Sequence, residues 1–134
     1  MKTNAYTLLF KEADVRQFVR SVGDQNPIYL SLAGAHMYGY KAIPLPPTMP
    51  MIAYKLIETP WKLQHPIIHR KQQCEYHQMM YINQPYQGFI ILKDQFRRHN
   101  LTFINQTLQI YDSGGILCFS GTSHLIAGDL LDNN

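Results

Sequence analysis

Asp24, Asn26 and Tyr29 fall within six residues of one another in the stretch Val22-Gly23-Asp24-Gln25-Asn26-Pro27-Ile28-Tyr29-Leu30. A carboxylate takes or returns a proton, an amide orients a polar ligand, and a phenol donates a hydrogen bond. Such a set suits proton transfer to and from a small substrate. The same residue types also build a purely structural turn, because Asp and Asn side chains bond nearby backbone N–H groups and Pro27 stiffens the chain beside them. Tyr29 has a restricted chemistry. A phenol with an ordinary pKa near 10 is almost wholly protonated at neutral pH, so it donates a proton but hardly accepts one. Lowering that pKa by three units would take roughly 4 kcal/mol, and a neighbouring Asp24 carboxylate pushes the other way.

The remaining reactive residues are more scattered. His36 comes after the turn and is a candidate surrogate base. His65 and His69 have i,i+4 spacing, but Pro66 between them argues against a helix that would align them. Cys74 and His77 fall on a predicted strand, and neither pair reaches the ligand count of a structural zinc site, so no metal is expected. No phosphate-binding Gly-rich loop, nucleophile elbow or Cys/His protease pattern is present.

These residues need a scaffold, and the hydrophobic pattern outlines one. Ala5 to Phe10 reads as a first strand. Val15, Phe18, Val19 and Val22 recur at i, i+3, i+4 and i+7, the stripe of an amphipathic helix that Gly23 ends. Ser31 can cap a short helix through Tyr38, closed by Gly39. Pro44, Pro46 and Pro47 force extended backbone. Thr48 is a candidate N-cap for a helix from Met49 to Ile57, bounded by Pro60. Those residues are apolar nearly all round, so the helix belongs inside the protein. Four strands come next, at Gln72–Ile82, Gly88–Phe96, Leu101–Tyr111 and Ile116–Ala127. Turn signals lie at Asn83–Pro85, Arg97–Asn100 and Asp112–Gly115. The tail Gly128–Asn134 is expected to fray. A curved antiparallel sheet wrapped around a long apolar helix covers that helix on most sides, an α+β arrangement of the hot-dog type.

Composition sets outer bounds. The chain's 134 residues suit one domain, residues 1–134, with a core that needs no disulfide or metal. A net charge of +3 without a clustered basic stripe argues against nucleic-acid binding, although a basic rim also suits the phosphates of coenzyme A. Two cysteines do not make a disulfide framework. The N-terminus lacks the apolar core and cleavage site of a signal peptide, and no stretch reaches membrane-spanning length. A cytoplasmic protein, off the membrane, is the expectation.

Phe18 to Ser31, followed by Ala42-Ile43-Pro44-Leu45-Pro46-Pro47-Thr48-Met49-Pro50-Met51, resembles the MaoC-like (R)-hydratase/dehydratase family, particularly its N-terminal-half type. That type pairs a Gly-Asp-x-Asn-Pro turn with an Ala-Pro-Pro-Thr segment entering the hot-dog helix. Glu75-Tyr76-His77 is similar to the core of its first long strand. The resemblance spans roughly Val15 to Ala127. It implies hydration or dehydration of acyl thioesters, with an Asp, a His five residues later, and a backbone N–H at the helix entrance stabilising the enolate. The Asp position falls on Asp24 and the His position on Tyr29. Pro46 and Pro47, which have no N–H, occupy the helix entrance, leaving Thr48 or Met49 as the donor.

The resemblance therefore implies candidate catalytic positions at Asp24 and Tyr29 and substrate contacts from Asn26, His36, Thr48 and Met49. It implies no cofactor beyond the CoA or carrier protein that bears the substrate. It further implies a homodimer, or a heterodimer with a catalytic hot-dog subunit. Three readings remain open at this point. One is an acyl-thioester-binding subunit with an incomplete Asp/His pair. Another is an active (R)-enoyl-CoA hydratase in which Asp24 works with His36, Tyr29 or water. The third is a thioesterase in which Asp24 or Glu58 activates water.

Overall fold

The computed structural model describes residues 1–132, with the side chains of residues 129–132 excepted. Five strands form one antiparallel sheet: β1 (Tyr6–Leu9), β2 (Trp61–Tyr76), β3 (Pro85–Arg98), β4 (Leu101–Tyr111) and β5 (Leu117–Asp132). Their order across the sheet is β1-β3-β4-β5-β2. Helices α1 (Glu12–Val22), α2 (Pro27–Leu30) and α3 (Leu32–Met37) come after the first strand. The central helix comprises a 3-10 turn, Met49–Ile52, that runs into α4 (Ala53–Leu56). This is the hot-dog fold that the pattern implies.

Helix α1 forms where the apolar stripe predicts it, with Val15 and Val19 buried. At its start the Lys11 N–H donates to the Asp14 carboxylate at 2.8 Å. At its end Gly23 takes the left-handed conformation, φ 72°. The N–H groups of Gly23 and Asp24 then return to the Arg20 and Val19 carbonyls at 3.3 and 2.8 Å. Gly is favoured at that position because it has no Cβ to clash. The chain is thereby reversed at a fixed angle, and Asp24 is the first residue beyond the reversal.

Several boundaries differ from the sequence pattern. β2 begins at Trp61, well before Gln72, and ends at Tyr76 rather than Ile82. Pro66 is tolerated because β2 is an edge strand paired only with β5, and the register shifts between Gln64 and Ile67. After Tyr76 the chain leaves the sheet, with the His77 and Gln78 N–H groups both directed at the Cys118 carbonyl. The central helix is short, not long. Leu56 is exposed at its end, so the sheet encloses its Met49, Ala53 and Ile57 side. The stretch Gly128–Asp132 continues β5 against Trp61–Gln64 instead of fraying. Asn133 and Asn134 lie outside the described residues.

The turns form by their predicted chemistry. Asp112 Oδ1 accepts from the N–H groups of Gly114 and Ile116 at 2.9 and 3.0 Å. His99 and Asn100 both have positive φ, as a two-residue hairpin requires. Among the described residues, no helix is long and apolar enough to cross a membrane.

Candidate active-site turn and the cavities beside the central helix

The Asp24–Tyr29 turn is built by its own side chains. Asp24 Oδ1 accepts from the Asn26 N–H at 2.9 Å. Asn26 Oδ1 in turn accepts from the Ile28 N–H at 3.2 Å and caps α2, whose first residue is Pro27. The Tyr29 N–H closes on the Asn26 carbonyl at 3.1 Å. Asn26 is therefore occupied as a cap. Asp24 is exposed, and only its Oδ1 is engaged in a hydrogen bond among the described residues.

Tyr29 is 7 % exposed. Burial pushes its phenol pKa up first, and the negative charge of Asp24 and the neighbouring Tyr40 push it further in the same direction. All three effects penalise the phenolate. Tyr29 thus stays a neutral phenol near Asp24, with even less phenolate at neutral pH than free tyrosine.

A glycine that the sequence did not single out fixes this geometry. Helix α3, capped by Ser31 Oγ on the Gly34 N–H at 2.9 Å, packs against α2. A Cβ at Gly34 would run into the Pro27 carbonyl oxygen and lie 3.0 Å from its carbon. Backbone cannot swing aside as a side chain can. Gly34→Ala is expected to separate α2 from α3 at a cost of about 2–3 kcal/mol, and to increase exposure of Tyr29. Urea unfolding and iodide quenching of tyrosine fluorescence would check both effects. Unchanged stability would show that the two helices are free to slide apart.

The other predicted residues lie elsewhere. His36 is exposed, with Nε2 3.2 Å from the Lys41 carbonyl, and among the described residues it makes no hydrogen bond or ion pair with Asp24. Met49 is buried, and its N–H is spent on the Pro46 carbonyl at 3.0 Å. That removes Met49 as the oxyanion donor. The Thr48 side chain makes no cap bond, while its N–H has no acceptor among the described residues. Thr48 is thus the remaining donor at the helix entrance. Glu58 lies beyond the other end of α4, beside Lys2 and Thr3. The structure brings Asp24, Asn26 and Tyr29 together in one turn, and among the described residues no hydrogen bond or ion pair links them to His36 or Glu58.

Two cavities flank the central helix. The first, of about 470 Å³, opens at the helix entrance between Pro46, Pro47 and Pro50 on one side and Tyr76, His77 and Phe119 on the other. Its walls are mainly apolar, with His77 and Gln78 as the polar groups. His77 Nε2 lies 3.6 Å from Glu75 Oε2. The second cavity, of about 610 Å³, lies further along the helix under Met51 and Tyr54, over Ser123 and Leu125. Its floor is polar but satisfied. Tyr54 donates toward the Gly121 and Gln106 carbonyls at 2.7 and 3.1 Å, and Trp61 Nε1 donates to Gln106 Oε1 at 3.1 Å. Burial pushes the Tyr54 phenol up to about 12, so it stays a neutral donor. Neither cavity is lined by Asp24, Tyr29 or His36. Sequence patterning could not reveal the cavities, although Glu75-Tyr76-His77 marks a wall of the first.

The turn holding Asp24, the proline-flanked helix entrance and the apolar cavity at that entrance are the parts of the candidate site. Comparison with known proteins agrees at the level of fold and family. The family described as FAS1-like, dehydratase domain region, matches residues 1–128. No curated protein sequence matches the chain. Among solved structures, a chain of the C-terminally truncated HadBC (3R-hydroxyacyl-ACP dehydratase) complex from Mycobacterium tuberculosis superposes with a TM-score of 0.81 at 17 % identity, covering 95 % of both chains. The ChsH1–ChsH2 complex of the same organism gives 0.75 at 15 %, over 94 % of this chain and 88 % of that one. The R-hydratase PhaJ1 from Pseudomonas aeruginosa gives 0.73 at 16 %, over 98 % and 83 %. With its sheet, helix entrance and aspartate turn in this arrangement, the chain has the hot-dog fold and belongs to the FAS1-like family of the dehydratase domain region.

Proposed function

We propose that this domain binds acyl thioesters as the substrate-binding subunit of a dehydratase or hydratase, with a catalytic hot-dog subunit as its partner. The observation that carries the reading is Tyr29. It occupies the position where the resemblance calls for histidine, it is buried, and its surroundings push its pKa away from the range of a general base. Asp24 is in place but has no basic partner among the described residues. The apolar cavity at the helix entrance offers room for the start of an acyl chain. Partnership is supported by the two neighbouring structures that are themselves named as complexes. The substrate reaches the domain as a CoA or carrier-protein thioester, and no further cofactor is needed.

The test offers the purified chain a 2-enoyl-CoA and follows the enone absorbance, with binding measured by calorimetry. Binding without turnover, and turnover on adding a copurifying hot-dog partner, is the expected result. Turnover by the chain alone that disappears in Asp24→Asn would overturn the subunit assignment in favour of an active hydratase. Release of free thiol from a saturated acyl-CoA would point instead to hydrolysis.

A further inference from the structure

The geometry points to Met51 as the residue that sets how long an acyl chain the domain accepts; this rests on the acyl-thioester reading above. On the inner face of β5, alternate residues point at the central helix. In order these are Phe119, Gly121, Ser123 and Leu125. Phe119 lines the first cavity, while Ser123 and Leu125 line the second. Gly121 falls between them and lines neither. The neighbouring strand repeats the division. Tyr76 borders the first cavity and Gln72 the second, with Cys74, directly opposite Gly121, between them. On the helix, Pro50 borders the first cavity and Met51 the second.

What fills the place of the missing Gly121 side chain is Met51. A Cβ built on Gly121 would collide with the Met51 sulfur and lie 2.9 Å from Phe119 Cε1. The thioether therefore rests over the bare backbone of β5, on the same side of Gly121 as the Phe119 ring. On this reading the two cavities are halves of one channel between helix and sheet, and Met51 over Gly121, between Phe119 and Ser123, is the wall across it. From Phe119 to Leu125 the strand rises about 20 Å, so removing the wall would lengthen the accessible channel considerably. Methionine is a flexible, easily displaced filler, which makes it a wall that a single substitution removes.

Acyl-CoAs of increasing saturated chain length test the assignment by calorimetry. In the parent protein affinity should rise with each methylene and then level off where the chain meets Met51. In Met51→Ala the levelling should move to longer chains. Each additional methylene admitted should tighten binding about fourfold, the equivalent of about 0.8 kcal/mol, so the longest ligands gain tenfold or more. Met51→Leu, which keeps a wall, should retain the parent profile, and Met51→Val provides the opened channel if the alanine variant does not fold. A levelling point that is the same in parent and opened variants would overturn the role of Met51 while leaving acyl binding intact. Failure of every protein to bind any acyl-CoA would instead overturn the acyl-thioester reading, and the wall with it.

Discussion

Tyr29→His is expected to give the isolated domain hydration of 2-enoyl-CoA at least about 100-fold above the parent, the lower end of what a positioned acid–base group contributes. Much of the turn is already set for that change. Asp24 is held by its own hydrogen bond to the Asn26 N–H, and the position of Tyr29 is fixed by α2. A histidine there would stand next to the same carboxylate that now raises the phenol pKa. For imidazole that carboxylate acts on the opposite charge state. It favours the imidazolium and raises its pKa, while burial lowers it, so the two effects oppose each other about the ordinary value of about 6.5. If the neutral ring acts as base toward water, the new activity should rise with pH through that value and level off above it. Tyr29→Phe should show no gain, and adding Asp24→Asn to Tyr29→His should remove it. Exchanging a buried ring for a smaller one should cost about 1–3 kcal/mol, so unfolding must be followed in parallel. A folded Tyr29→His domain with no gain would mean that the Pro46–Thr48 entrance no longer stabilises the enolate, because Thr48 has the one backbone donor left there among the described residues.

The parts of this site differ in how well the sequence announces them. Local chemistry is legible. The α1 stripe, Gly23 as its stop, the Asn26 and Ser31 caps and the Asp112 hairpin each depend on residues within a few positions of one another, and each forms where the pattern puts it. The path of β2 is not legible, because Pro66 reads as a breaker unless the strand is known to lie at an edge. Gly34 and Gly121 give no signal, since their roles depend on what approaches from Pro27 and from Met51. Met49 has the sequence position of a donor, but the Pro46 carbonyl that claims its N–H is placed by a turn, not by spacing. His36 has the right residue type near Asp24 in sequence, yet α3 carries it to the Lys41 carbonyl. Residue types in a short motif report which chemistry is available, whereas the closing of a channel depends on strands far apart in sequence.

Trp61→Ala is expected to destabilise the domain by about 4 kcal/mol, within the range for truncating a large buried aromatic. Trp61 is 1 % exposed and opens β2 directly after Pro60. Its own carbonyl accepts from Thr59 Oγ1 at 2.6 Å, which fixes the entry to the strand. Its indole N–H holds Gln106 Oε1, and the Gln106 carbonyl in turn accepts from Tyr54 of α4. The ring therefore ties the edge strand to β4 and, through Gln106, to the central helix. Against a typical domain stability of 5–15 kcal/mol, the loss should lower the thermal midpoint by roughly 15 °C. Trp61→Phe separates the contributions. It keeps most of the apolar contact but leaves the Gln106 amide without the indole, so a smaller cost of about 1–2 kcal/mol is expected. Water from the adjoining cavity can reach Gln106 and moderate that loss. Trp61 is the single tryptophan, so urea unfolding of the variants is best followed by far-UV circular dichroism. Equal costs for Phe and Ala would place the anchor in the indole–Gln106 hydrogen bond. A cost near zero for both would mean that β2 is held by its ladder to β5 alone.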